Sequence, residues 1–162
     1  MTRMKAMGVL LMASALVAAA CANEPEPLSG EEFTARAKDI CEEADQQIAA
    51  LGLISSEQVN RVEEAGTYQE MADYFGGVLT AEIEARDQLG ELTPPLEDVE
   101  MVGEFLSALD DLIDLNSGYV AALRAEDLSG FENVIGRGHA AESELRGLAL
   151  QLGLFRCSLG VP

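Results

Sequence analysis

From Leu28 to the C-terminus apolar residues recur every three or four positions, and no stretch alternates long enough to read as a strand. The spacing predicts four amphipathic helices. The first, over about 30 to 51, gathers Phe33, Ala37, Ile40, Cys41, Ala44, Ile48 and Leu51 on one face. The second, over about 68 to 91 behind a short turn near 56 to 64, gathers Tyr68, Met71, Phe75, Leu79, Ile83 and Leu89. Val99, Val102, Phe105, Leu109, Leu112, Val120 and Leu123 mark a third, over about 95 to 125. Phe131, Ile135, Ala141, Leu145, Leu148 and Leu152 mark a fourth, over about 130 to 152.

Start signals agree with the stripes. Ser29 with Glu32, Ser55 with Gln58, Thr67 with Glu70 and Ser129 with Glu132 each match the reciprocal capping box, in which a hydroxyl takes an orphan amide while the acid or amide reaches back. Thr93-Pro94 offers a further start, with Pro at the first helical position. All five prolines, at 25, 27, 94, 95 and 162, lie outside the helix interiors. Four helices with short connections imply an all-α domain over residues 29–162, an antiparallel four-helix bundle.

Glycines complicate the helices. Gly76, Gly77, Gly103, Gly118, Gly136, Gly138 and Gly147 fall inside them, where each costs about 1 kcal/mol relative to Ala. They imply close helix contacts, kinks, or space for an apolar ligand, and Gly136-Arg137-Gly138 is the expected break in the fourth helix. A carrier of a small apolar ligand or lipid would line its cavity with Phe75, Phe105 or Phe131.

The N-terminus departs from this pattern. Arg3 and Lys5 are followed by an uncharged run from Ala6 to Ala20, which fits an export signal better than a spanning helix of about 18 or more strongly apolar residues. The segment Leu16-Val17-Ala18-Ala19-Ala20-Cys21 resembles the lipobox of bacterial lipoproteins, with Ala18 where Leu is usual. That resemblance implies removal of residues 1–20, a diacylglyceryl thioether on Cys21 and a further acyl chain such as palmitate on its new amino terminus. Plain secretion is the rival reading. Two long chains hold a protein on a bilayer firmly, whereas one is marginal. Residues 21–28, with Glu24-Pro25-Glu26-Pro27, then form a short, stiff, acidic tether between membrane and domain.

With Cys21 lipidated, Cys41 and Cys157 remain. Outside the cytosol two leftover thiols most simply pair, and neither has a second Cys or a His at metal-ligand spacing nearby. Cys41 lies about 15 Å into the first helix at 1.5 Å per residue, so the tail must turn back from the end of the fourth. Gly153 suits the left-handed cap, after which Leu154 to Cys157, extended, spans the gap, with Leu154 and Phe155 packed on the bundle. The set Ile40-Cys41-Glu42, Thr93-Pro94-Pro95 and Leu152-Gly153-Leu154-Phe155-Arg156-Cys157 resembles small actinobacterial helical lipoproteins, a resemblance that implies no activity.

Charge removes one class of partner. With 10 Lys plus Arg against 29 Asp plus Glu the net charge is −19, which repels nucleic acid. His139 is the lone imidazole, three residues before Glu142, and without a matched nucleophile or a second Glu-x-x-His it reads as a surface residue. Asp110, Asp111 and Asp114 lack an EF-hand loop and read as a solvated face rather than a calcium site, and Glu97, Asp98 and Glu100 suit a helix N-terminus. Ser107 and Ser143 read as ordinary helical serines. The expected protein is therefore a membrane-anchored, extracytoplasmic binding or interaction module. It needs no cofactor or metal and performs no catalysis; its partners are the membrane, through the lipid, and an envelope protein.

Overall fold

Ser29 opens the first helix as its sequence requires. Its hydroxyl accepts from the Glu32 amide at 3.3 Å, and the Glu32 carboxylate accepts from the Ser29 amide at 3.2 Å. The computed structural model describes residues 26–52, 67–155 and 157, and of residues 128, 131–133, 135 and 136 the backbone alone. Among the described residues there are four helices and no strand: α1 (Gly30–Ala50), α2 (Thr67–Gly90), α3 (Val99–Arg124) and α4 (Leu128–Gln151). The lipobox-like segment, Cys21 and the expected Ser55 cap with its neighbouring turn lie outside the described residues.

Three helix starts differ from expectation, the first being α2, where Thr67, the expected cap, already stands in the helix. α3 begins at Val99 rather than near 95, after a turn over residues 96–98 in which Asp98 N–H donates to the Pro95 carbonyl at 3.0 Å. Pro95 pushes Pro94 out of the helical region, which rules out the start at Pro94. The Thr93 carbonyl instead accepts from Leu28 N–H at 3.1 Å, fastening the residues before α1 to the α2–α3 connection. At α4 the cap is Asp127, whose carboxylate accepts from Gly130 N–H at 3.1 Å, so Ser129 already sits inside the helix. The expected break at 136–138 is absent: α4 continues through it, its packing along α3 outweighing the cost of two glycines.

Helix ends are closed by matched backbone bonds. After α4, Leu154 N–H donates to Ala149 O at 2.7 Å and Gly153 N–H to Leu150 O at 3.2 Å, with Gly153 left-handed at φ +70°. After α3 the same pair of bonds forms, Asp127 to Ala122 and Glu126 to Leu123, but the left-handed position is Glu126 at φ +53°. A side chain there costs about 1 kcal/mol that glycine avoids. Glu126→Gly is expected to stabilise the domain by about 0.5 to 1 kcal/mol in urea unfolding, less than the strain relieved because glycine also loosens the unfolded chain. An unchanged or lowered midpoint would show that Glu126 contributes something the strain argument omits.

The main core joins all four helices and the tail: Phe33, Ala37 and Cys41 from α1, Leu89 from α2, Phe105 and Leu109 from α3, Leu145 and Ala149 from α4, then Leu154 and Cys157. A smaller cluster of Met71, Ala72 and Leu123, with Tyr68, Phe75 and Tyr119 against it, ties α2 to α3. Phe75 meets Tyr119, Glu82 meets Asn116 and Arg86 meets Asp110, so residue numbers rise along α2 as they fall along α3.

Cys41 and Cys157 form a disulfide with Cα atoms 5.1 Å apart. The tail reaches it differently from expectation. A Cβ at Gly153 would already lie 3.9 Å from the Thr34 side chain, so the chain leaves α4 one turn along α1 and has less distance to cover. Leu154 to Cys157 then closes as a turn, with Cys157 N–H donating to Leu154 O at 2.7 Å, instead of running extended. Both ends of that turn point inward, which leaves Phe155 facing out at 59% exposure under the Lys38 ammonium, 5.4 Å from its ring. Phe155 therefore covers the surface and is not core.

The expected stripe on α2 holds at Met71, Phe75 and Leu89 but slips by one residue in its middle, at Leu79 and Ile83. Ile83 is 42% exposed, while Glu82 beside it is 1% exposed. Met71, Val78, Glu82, Ala85 and Leu89 point inward, with Phe75 partly covered between them, an unbroken three- and four-residue rhythm that admits one carboxylate. Val99, at the first position of α3, is half exposed.

Candidate functional site

The inward Glu82 has an inward partner. On α3 the core rhythm runs Phe105, Leu109, Leu112, Asn116, Val120 and Leu123, so an amide faces the carboxylate at the same level of the fold. Asn116 Nδ2 donates to both Glu82 oxygens, at 3.0 and 2.8 Å. Burial nevertheless pushes the Glu82 carboxyl up to about 7; the Asn116 bonds oppose this and the negative charge of Glu142 on α4 adds to it. Near neutral pH this core carboxyl exchanges a proton.

A cavity of about 190 Å³ opens next to the pair, between α2, α3 and α4. Phe75, Leu115, Tyr119 and Val134 supply apolar wall, Asn116, His139 and Glu142 supply polar groups, and Gly138 leaves one side uncovered. The Phe75 and Tyr119 rings meet edge to face, with centroids 4.7 Å apart. Burial raises the Tyr119 phenol to about 12, so it stays protonated at neutral pH. His139 Nδ1 lies 3.8 Å from a Glu142 oxygen, with 80% of its side chain in solvent. Farther along the α3–α4 seam the surface widens into shallow grooves edged by Glu104, Asp111, Asp114 and Glu144.

Of the three phenylalanines expected to line a ligand cavity, Phe75 lines the cavity described above. Phe105 is fully buried in the main core, away from it, and the Phe131 side chain lies outside the described residues. Asp110 is engaged by Arg86 through two bonds, at 2.6 and 2.8 Å, which separates it from Asp111 and Asp114. No three His, Cys, Asp or Glu side chains among the described residues converge as metal ligands do. Glu82 and Asn116 escaped the sequence reading because polar residues look outward-facing. The signal that finds them is phase: each continues the heptad of its own helix where the neighbouring Ile83 or Leu115 breaks it.

Two glycines receive opposite explanations. A Cβ on Gly77 would lie 2.8 Å from both Leu51 methyl carbons, so glycine lets the end of α1 approach α2. A Cβ on Gly138 would meet nothing within 4 Å. Comparison with protein-family models, with curated proteins and with solved structures finds no match.

Proposed function

We propose that this chain is a lipid-anchored, extracytoplasmic, non-enzymatic binding module. In this reading residues 1–20 are an export signal, Cys21 carries the lipid, residues 21–28 are the tether and residues 29–162 form an antiparallel four-helix bundle. The observation that carries it is the Cys41–Cys157 bond: it uses both cysteines of the domain and leaves Cys21, at the lipobox-like site, as the remaining one. Lasting disulfides belong to oxidising compartments. Antiparallel topology is supported by the opposite sense of the α2 and α3 pairings and by the short connection between α3 and α4. Binding is supported by the cavity between α2, α3 and α4. No described helix is long and apolar enough to cross a membrane, so attachment falls to the N-terminus in this reading.

Mass analysis of the N-terminal peptide from a membrane fraction tests the anchor. The expected result is a chain beginning at Cys21 with the mass of a diacylglyceryl group and an amide-linked acyl chain, and Cys21→Ser is expected to release the protein from membranes or leave it unprocessed. An uncleaved chain, or a mature one with bare Cys21, overturns the reading.

A further inference from the structure

Gly138 is the observation to explain. A glycine inside a helix costs about 1 kcal/mol against Ala, and at Gly77 a Cβ would stand 2.8 Å from the Leu51 methyls, so that side chain would have to move. Among the described residues nothing lies within 4 Å of where a Gly138 Cβ would stand, as is also true of Gly103 and Gly147, but Gly138 alone of the three lines the cavity walled by Phe75 and Tyr119. At ~30 Å³ per water, about 190 Å³ holds the volume of roughly six waters, the scale of a small organic molecule.

The chemistry of the walls selects among small molecules. Among the described residues that line the cavity, Glu142 is the one carboxylate and none is Lys or Arg, and Glu82 stands one residue behind through Asn116. An anion is repelled. A hard metal cation wants about six oxygen ligands, more than one carboxylate and one amide supply. An organic cation suits what is present, since aromatic rings attract it, a carboxylate balances it, and apolar wall covers its carbon atoms. The net charge of −19 also concentrates cations around the domain.

We propose that the cavity between α2, α3 and α4 binds a small organic ammonium ion, recognised by the Phe75 and Tyr119 rings and by the Glu142 carboxylate, in the space that Gly138 leaves open. The proposal rests on the domain being a binding module and names its ligand class.

The test compares two probes of the same shape, choline and its neutral isostere 3,3-dimethylbutan-1-ol, titrated by ligand-detected NMR. The protein as extracted from membranes is used in a maltoside detergent, which carries no ammonium group to compete. Choline is expected to bind saturably and at least roughly fivefold more tightly than the isostere, the scale of one cation–π and carboxylate site. Tyr119→Leu and Glu142→Gln are each expected to weaken choline severalfold, and Gly138→Leu to abolish binding without lowering the melting temperature. Equal affinity for the two probes overturns the ammonium class while keeping a binding cavity, and binding of neither overturns both. Choline affinity undiminished in Gly138→Leu also overturns the proposal. Should that variant melt early, Glu142→Gln decides by itself, because it exchanges a partly exposed carboxylate for an amide of the same shape, and unchanged affinity refutes the site. N-terminal lipidation is read independently by mass, so a failed titration leaves the anchor untouched.

Discussion

Replacing Cys41 and Cys157 together by Ala is expected to lower the stability of the domain by about 4 to 5 kcal/mol. The bond closes a sequence separation of 116 residues, and the entropy removed from an unfolded chain by a loop of that length gives about that value. The local packing points the same way: both cysteines are fully buried beside Ala37 and Leu154, and the bond fixes the turn that places Leu154 in the core. Losing it therefore frees residues 154–157 as well as the unfolded chain. Urea unfolding of the oxidised protein and the double variant, read by helical circular dichroism, measures the difference. Reduction of the wild type should reproduce it. A loss below about 1 kcal/mol would mean that the tail is held by its apolar contacts and that the bridge merely follows them.

Glu82→Gln is expected to stabilise the protein at pH 8 and to leave it little changed near pH 4.5. The folded carboxyl titrates at about 7, against 4.5 for the ordinary group, so between those values the unfolded chain releases a proton that the folded chain retains. Stability from this site is therefore greatest below about pH 4.5, falls as the pH rises toward 7, and is level above it. The fall amounts to about 3 kcal/mol at ~1.4 kcal/mol per unit. Glutamine keeps an oxygen for Asn116 Nδ2 and carries no charge, so its curve lacks this slope. Comparing variant with wild type removes the background of the other 28 acidic residues, 29 in all. A difference that stays constant from pH 4.5 to 7.5 would refute a strongly raised Glu82.

The two predictions rest on features of unequal visibility in the sequence. The cysteine pair was legible because three cysteines, one of them at a lipobox-like site, leave a single pairing for the domain. Its route was not: the expected extended tail assumes that α4 ends level with the start of α1, whereas Gly153 stands beside Thr34. Helix offset comes from side-chain packing across the core and leaves no mark in a local window. Glu82 was hidden for another reason. Ile83 is the more hydrophobic neighbour, and a stripe drawn by hydrophobicity follows it, although the residues on either side fix a phase that buries Glu82. Along a helix the backbone allows no half-step to favour one side chain. Met71, Val78, Ala85 and Leu89 together outweigh Ile83, and Asn116 makes the buried carboxylate tolerable.

Local chemistry, by contrast, is written in short range. The Ser29–Glu32 box, the left-handed Gly153 and the helical periods depend on neighbours within four residues, and the chain specifies them wherever it lies. The amino-acid sequence alone thus determined four helices, most of their limits and the cysteine partners. Only tertiary packing decided that Phe75 reaches a cavity while Phe105 fills the core, and that Glu82, Asn116 and Glu142 from three helices share one neighbourhood. The reason is physical: helix formation sums interactions a few residues apart, whereas burial and the cost of a charge depend on what arrives from elsewhere in the chain.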